Sequence, residues 1–128
     1  ELVNTLQRVR DLGISIALDD FGMGYSSLAY VRRLPLSVIK IDQTFVRGAI
    51  ANDGDAAIVR WVTRLGLELG LDVIAEGIET AAELDFARRA GCTHAQGFLF
   101  GHPMPAAQFG ALLHANAAGS DRVSIPRP

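Results

Sequence analysis

The apolar positions at the start of the chain keep a helical beat, with Leu2, Leu6, Val9 and Leu12 three or four residues apart. Gly13 then stands where a helix C-cap is expected. The beat changes at once: Ile14-Ser15-Ile16-Ala17-Leu18 reads as a buried strand running into Asp19-Asp20. The same grammar returns twice. A helix predicted over residues 56–69 stops at Gly70, and Asp72-Val73-Ile74-Ala75 is a strand ending at Glu76. A helix over residues 81–90 stops at Gly91, and a short strand around Thr93-His94-Ala95 ends at Gln96. Thr80 and Glu83 have the spacing of a capping box and open that helix. Between these units, a short helix after Ser26-Ser27 is ended by Pro35, and Ser37-Val38-Ile39-Lys40-Ile41-Asp42 is apolar and β-branched, as a strand requires. A last helix is predicted over residues 106–114, followed by a small, polar, proline-bearing tail over 115–128.

Four strands alternating with helices argue for parallel βα units in an α/β fold. Asp19, Asp20, Lys40, Glu76 and Gln96 all fall at the C-terminal ends of predicted strands. In a (βα)8 barrel of the TIM type, that rim is where catalytic side chains converge. Four units make a half-barrel, since a complete one takes roughly 250 residues. The strands at residues 14–18 and 94–96 are then open edges whose backbone groups need cover. Ile14, Ile16, Leu18, Val38, Ile39, Val73 and Ile74 are expected to lack the opposing side chains that fill a closed barrel. The expected organisation is one half-barrel domain over residues 1–114 and a tail over 115–128.

Composition narrows the function. The 128 residues are 49% hydrophobic and carry a net charge of -2, with no basic stripe, which argues against a duplex nucleic-acid partner. A small anionic ligand held through metal ions stays open, because the ions supply positive charge locally. Cys92 is the single cysteine, so no disulfide forms within the chain, and a reducing, cytoplasmic setting is expected. No apolar run is long enough to span a bilayer.

Adjacent carboxylates at Asp19 and Asp20 can each face one ion of a pair, because hard divalent cations require oxygen ligands. The glycines of Gly22-Met23-Gly24 let the backbone turn sharply, and a helix beginning at Ser26-Ser27 offers free N–H groups to a phosphate. Lys40 sits within an apolar strand, where lysine is disfavoured unless its ammonium meets a polar site; Asp42, two residues on, could pair with it. Carboxylates around Lys40 would raise its pKa and make it a donor to a water or phosphate, not a free-amine base. Glu76 before Gly77 is held at the rim, and Gln96 before Gly97 can reach a metal-bound water or a base edge. Glu79 complements a helix N-terminus. Each of these polar residues also has a plainer reading as a turn acid, an edge lysine or a solvated strand end. His94, His102 and His114 lack metal-ligand spacing and read as structural, and Trp61, Phe86 and Phe109 read as core.

Taken in order, Asp19-Asp20-Phe21-Gly22-Met23-Gly24-Tyr25-Ser26-Ser27-Leu28, Leu34-Pro35 with Lys40-Ile41-Asp42, Ala75-Glu76-Gly77-Ile78-Glu79-Thr80, and Gln96-Gly97-Phe98 with Pro103 resemble the EAL-domain family. The resemblance covers residues 1–114 and implies the C-terminal half of a barrel that hydrolyses cyclic di-GMP to linear pGpG with two Mg²⁺ or Mn²⁺ ions. It implies metal ligation by Asp19, Asp20 and Glu76, with Asp19 bridging. Catalytic roles fall to Lys40, Glu76 and Gln96, and support of the loop from Asp19 to Ser27 to Glu79, Gly22, Gly24 and Ser26. The Glu-Ala-Leu signature is not in this sequence, nor are the asparagine and second glutamate that the family supplies from its first four strands; Met23 replaces the usual threonine. The implied site is therefore incomplete here, and this chain by itself is expected to be inactive. It is expected to self-associate or to bind the missing N-terminal half. Two other readings compete: a catalytically silent EAL-type module that binds cyclic di-GMP or a protein, and a phosphoacceptor receiver domain, which would place its lysine on a later strand.

Overall fold

The computed structural model describes residues 1–22 and 28–118. Helices and strands alternate as α1 (Leu2–Asp11), β1 (Ala17–Phe21), α2 (Leu28–Arg33), β2 (Val38–Ile41), α3 (Gln43–Gly48), α4 (Asp53–Glu68), β3 (Asp72–Ala75), α5 (Ala81–Ala90), β4 (His94–Ala95) and α6 (Ala106–Ala118). All strand pairs are parallel, in the order β1-β2-β3-β4, so β1 and β4 are the outer strands, as the alternation predicts.

Local chemistry fixes the helix ends. Asn52 accepts hydrogen bonds from the Gly54 and Asp55 N–H groups at 2.7 and 3.3 Å, which starts α4 three residues before the predicted position. Thr80 and Glu83 form the expected capping box, and Gly91 closes α5 in the left-handed region at φ 92°. The helix α3 escapes the hydrophobic pattern because it is short; Asp42 caps it by accepting the Thr44 N–H at 2.8 Å.

Period-two alternation divides the sheet. Ile39, Ile41, Val73 and Ala75 are fully buried, and Ile39 and Val73 meet α4 at Gly66. Val38, Lys40 and Ile74, one position away, are half-buried on the opposite face. The expectation that Ile39 and Val73 would lack opposing side chains is thus corrected: α4 covers them, and Val38 and Ile74 face the open side. β1 lies three residues beyond its expected start, because over residues 14–16 the Ile16 carbonyl accepts the Ser37 and Val38 N–H groups, while the Ile16 N–H donates to the Ser37 hydroxyl at 3.5 Å and not to a backbone carbonyl of the neighbouring strand. Trp61 and Phe109, expected in the core, are exposed, whereas Phe86 packs against it. Helix α6 continues through the predicted boundary at residue 114 to Ala118.

Candidate active site

The β1–β2 register creates the site. Leu18 pairs with Ile39 and Phe21 with Ile41, so Asp19 and Asp20 together oppose the single residue Lys40. This is a β-bulge. Asp20 has φ 51°, the only positive value for a non-glycine among the described residues. In a regular strand, adjacent side chains point to opposite faces. The bulge instead brings both carboxylates to one rim, where oxygens of Asp19, Asp20 and Glu76 lie within 4.8 Å of one another.

Lys40 ties that rim together. Its Nζ lies 3.0 Å from Asp19 Oδ1 and 2.5 Å from Glu76 Oε1. Glu76 is placed by the next rung of the ladder, where its N–H donates to the Ile41 carbonyl at 3.1 Å. The Glu76 hydrogen bond, with help from Asp19, raises the Lys40 pKa above its ordinary value, although burial opposes the shift. The same ammonium holds the Asp19 carboxyl below its ordinary value, mainly by donating a hydrogen bond to it. Lys40 is therefore a cationic donor at neutral pH. Asp42, expected as its possible partner, caps α3 instead.

A cavity of about 300 Å³ opens beside these groups, lined by Asp20, Asp42, Glu76, Glu79 and Gln96, and also by Gln43 and Phe98. Gln96 is fixed through its backbone, donating to the Ala75 carbonyl at 2.9 Å and accepting from the Ile78 N–H at 3.0 Å. Glu79 forms an ion pair with Arg47 of α3, while the Glu79 and Thr80 N–H groups donate to Glu83 at 2.7 and 2.9 Å. Burial works against the Glu83 charge, but these donors outweigh it and lower the pKa. Gly22 has φ 108°, and a Cβ there would strike the Phe45 ring. Gly24 and Ser26, expected to support the same loop, lie outside the described residues, as does most of the loop that Glu79 is expected to brace.

The sequence reading missed Gln43, Arg47 and Phe98. The first two belong to the unpredicted α3, and nothing local marks Phe98 as a cavity wall. Of the histidines, His94 meets Thr93 Oγ1 at 2.9 Å, His114 meets the Gly110 carbonyl at 2.7 Å, and His102 stacks on Phe98. The hard carboxylate oxygens of Asp19, Asp20 and Glu76 fit a divalent cation.

Comparison with known proteins places this geometry. The family model for the EAL domain matches residues 1–103. MucR of Pseudomonas aeruginosa, a bifunctional diguanylate cyclase/cyclic di-GMP phosphodiesterase, is 48% identical over 103 residues, covering 80% of this chain and 15% of MucR. The solved PaMucR phosphodiesterase–c-di-GMP complex matches with a TM-score of 0.79 at 47% identity, over 84% of this chain and 43% of that one. Klebsiella pneumoniae BlrP1, solved at pH 9.0 with manganese and cyclic di-GMP, matches with a TM-score of 0.72 at 39% identity, over 78% of this chain and 26% of BlrP1. The chain spans about 15% of the length of curated relatives such as MucR. Its parallel four-stranded sheet is part of an α/β barrel of the TIM type.

Proposed function

The chain belongs to the EAL domain family, and from that premise we propose that it forms part of a metal-dependent phosphodiesterase hydrolysing cyclic di-GMP to linear pGpG. The supporting observation is the Lys40 ammonium held between Asp19 and Glu76, with Asp20 turned to the same rim. Asp19, Asp20 and Glu76 would hold divalent cations, two Mg²⁺ or Mn²⁺ in the complete site. When bound, such ions supply Lewis-acid charge and acidify a coordinated water. Lys40, cationic at neutral pH, donates to the attacking water or neutralises phosphate charge, and the Gln96 amide completes the wall of the site. Glu79, Gly22, Gly24 and Ser26 support the loop after β1.

Three carboxylates are too few to fix two ions, and a loosely held ion aligns a nucleophile poorly. The chain by itself is therefore inactive on this reading. Its open edges are covered by the other half of a barrel or by another copy, in a cytoplasmic setting. Reassembled with the rest of an EAL barrel, the chain should release pGpG in Mg²⁺ or Mn²⁺, and Asp19→Asn should abolish the reaction. Turnover by the chain alone, lost in Asp19→Asn, would overturn the incomplete-site reading. Binding of cyclic di-GMP without turnover by the reassembled domain would replace the enzyme with a silent binding module.

A further inference from the structure

We infer that the groove between the outer faces of α4 and α5 is a docking surface for an acidic, amphipathic helical segment of another protein. Arg60, Arg64, Leu67 and Glu68 of α4 and Arg89 and Ala90 of α5 line a groove of about 550 Å³. Helix α4 covers the inner strands β2 and β3, and α5 packs beside it, so the groove belongs to the helical layer and not to the outer edges of the sheet. It lies toward the C-terminal ends of both helices. In parallel βα units those ends are opposite the rim that holds Asp19, Lys40 and Glu76. An occupant of the groove therefore leaves the candidate site open.

The charge of the groove runs against that of the chain. The net charge is -2, yet three guanidinium groups meet here. Arg60 and Arg64 stand one helical turn apart on α4. Arg89 joins them only through the packing of α5 on α4, so no basic stripe appears in the sequence. Two of the three have local partners: Arg64 pairs with Glu68 at 3.0 Å and Arg89 with Asp85 at 3.1 Å. Exposed pairs of this kind contribute little in water and give way readily to a carboxylate brought by a partner. Arg60 has no ion-pair partner among the described residues.

Apolar side chains beside these cations define the occupant. Leu67 is exposed in the groove, and Trp61, the single tryptophan, is 52% exposed. Trp61 precedes Arg64 by three residues and so shares its side of the helix. Tryptophan and arginine are the side chains that most often anchor protein interfaces. A small anion would engage the arginines and leave Leu67 and Trp61 in water. A nucleic-acid backbone or an anionic bilayer needs a broader basic field, and Asp53 and Asp55 in the first turn of α4 oppose it. A helix with carboxylates one turn apart matches Arg60 and Arg64, and its apolar residues can rest on Leu67 and Trp61.

The probe is a synthetic peptide of about 16 residues, long enough to form a helix in water. It consists of glutamate and leucine, with glutamates one turn apart, and the same peptide with glutamine for glutamate is the uncharged control. Titrated into the full 128-residue chain, the glutamate peptide should give a saturable change in Trp61 fluorescence and amide shifts confined to α4 and α5. Added salt should weaken the binding. Arg60→Glu should weaken it about tenfold or more, as expected for an interface arginine. That variant should leave the circular dichroism and the thermal midpoint unchanged, because Arg60 is exposed and unpaired. Arg10→Glu on α1 makes the same change in net charge and should leave the affinity unchanged. The inference is overturned by the absence of a saturable change up to about millimolar peptide, by equal binding of the glutamine peptide, or by equal losses in Arg60→Glu and Arg10→Glu. Equal perturbation of the same amides by inorganic phosphate or by phosphatidylserine vesicles would overturn it too, in favour of a general anion patch. None of these outcomes depends on phosphodiesterase activity, so the catalytic reading fails or stands separately.

Discussion

Gly97→Ala is the sharpest test of how the strand-end loops hold the candidate site. A Cβ at residue 97 would fall inside contact distance of the Ile78 nitrogen, carbonyl carbon and oxygen. Ile78 is fully buried and cannot retreat into solvent. The same backbone contact is bonded from both sides: the Ile78 N–H donates to the Gln96 carbonyl at 3.0 Å, and the Leu99 N–H donates to the Ile78 carbonyl at 3.0 Å. Separating the segments loses two hydrogen bonds of about 1 kcal/mol each. Overpacking adds about 1–3 kcal/mol. The expected loss is therefore about 3–5 kcal/mol, and it also moves Gln96 away from Glu76. Gly70→Ala is the control: Gly70 sits at φ 73° with no atom near its added Cβ, so it incurs only left-handed backbone strain of about 1–2 kcal/mol. Urea unfolding followed by circular dichroism should show the midpoint falling much further for Gly97→Ala at similar slopes. A Gly97→Ala loss equal to or below that of Gly70→Ala would refute the contact argument and leave glycine there for conformation alone.

Replacing Lys40 by Met should raise the Asp19 pKa, since the ammonium is the main cause of its depression; carbon-detected NMR titration checks this, and an unmoved Asp19 would mean that Lys40 does not hold it. Glu83 has a folded-state pKa below its ordinary 4.5, so its stabilisation is present above about 4.5 and lost as pH falls through the folded value. Glu83→Gln should therefore flatten the acid limb of a stability–pH curve, and an unchanged limb would count against the capping network. Thr80→Ala should cost about 1 kcal/mol in urea unfolding, and a cost near zero would show the capping box to be energetically idle. Two helical glycines should respond with opposite signs. Gly110→Ala enters open space and should stabilise by about 0.5–1 kcal/mol. Gly66→Ala meets Val73 Cγ2 at 2.5 Å, so overpacking of about 1–3 kcal/mol exceeds the same helical gain. Thermal unfolding distinguishes them, and equal shifts would remove the packing argument.

Elements with a strong local signal were legible in the sequence, whereas those set by a neighbour were not. Helix α5 has its capping box and its left-handed Gly91, both local in sequence, and the prediction places it correctly. Helix α3 depends on one capping contact from Asp42 and is too short for periodicity to register. The candidate site divides in the same way. Its polar residues stood out because each interrupts or ends an apolar strand, and Lys40 meets Asp19 and Glu76 as strand-end placement implied. What no local pattern revealed is the reason Asp19 and Asp20 can work together. A regular continuation of β1 would turn one carboxylate towards the helices and the other towards the open face. Only the pairing with β2 shows that the two residues share one rung opposite Lys40. The left-handed backbone at Asp20 accompanies that extra residue, and aspartate accepts this conformation more readily than most side chains. The acidic pair was thus readable as chemistry, but its convergence belongs to the register between strands, which is a property of the fold and not of either segment.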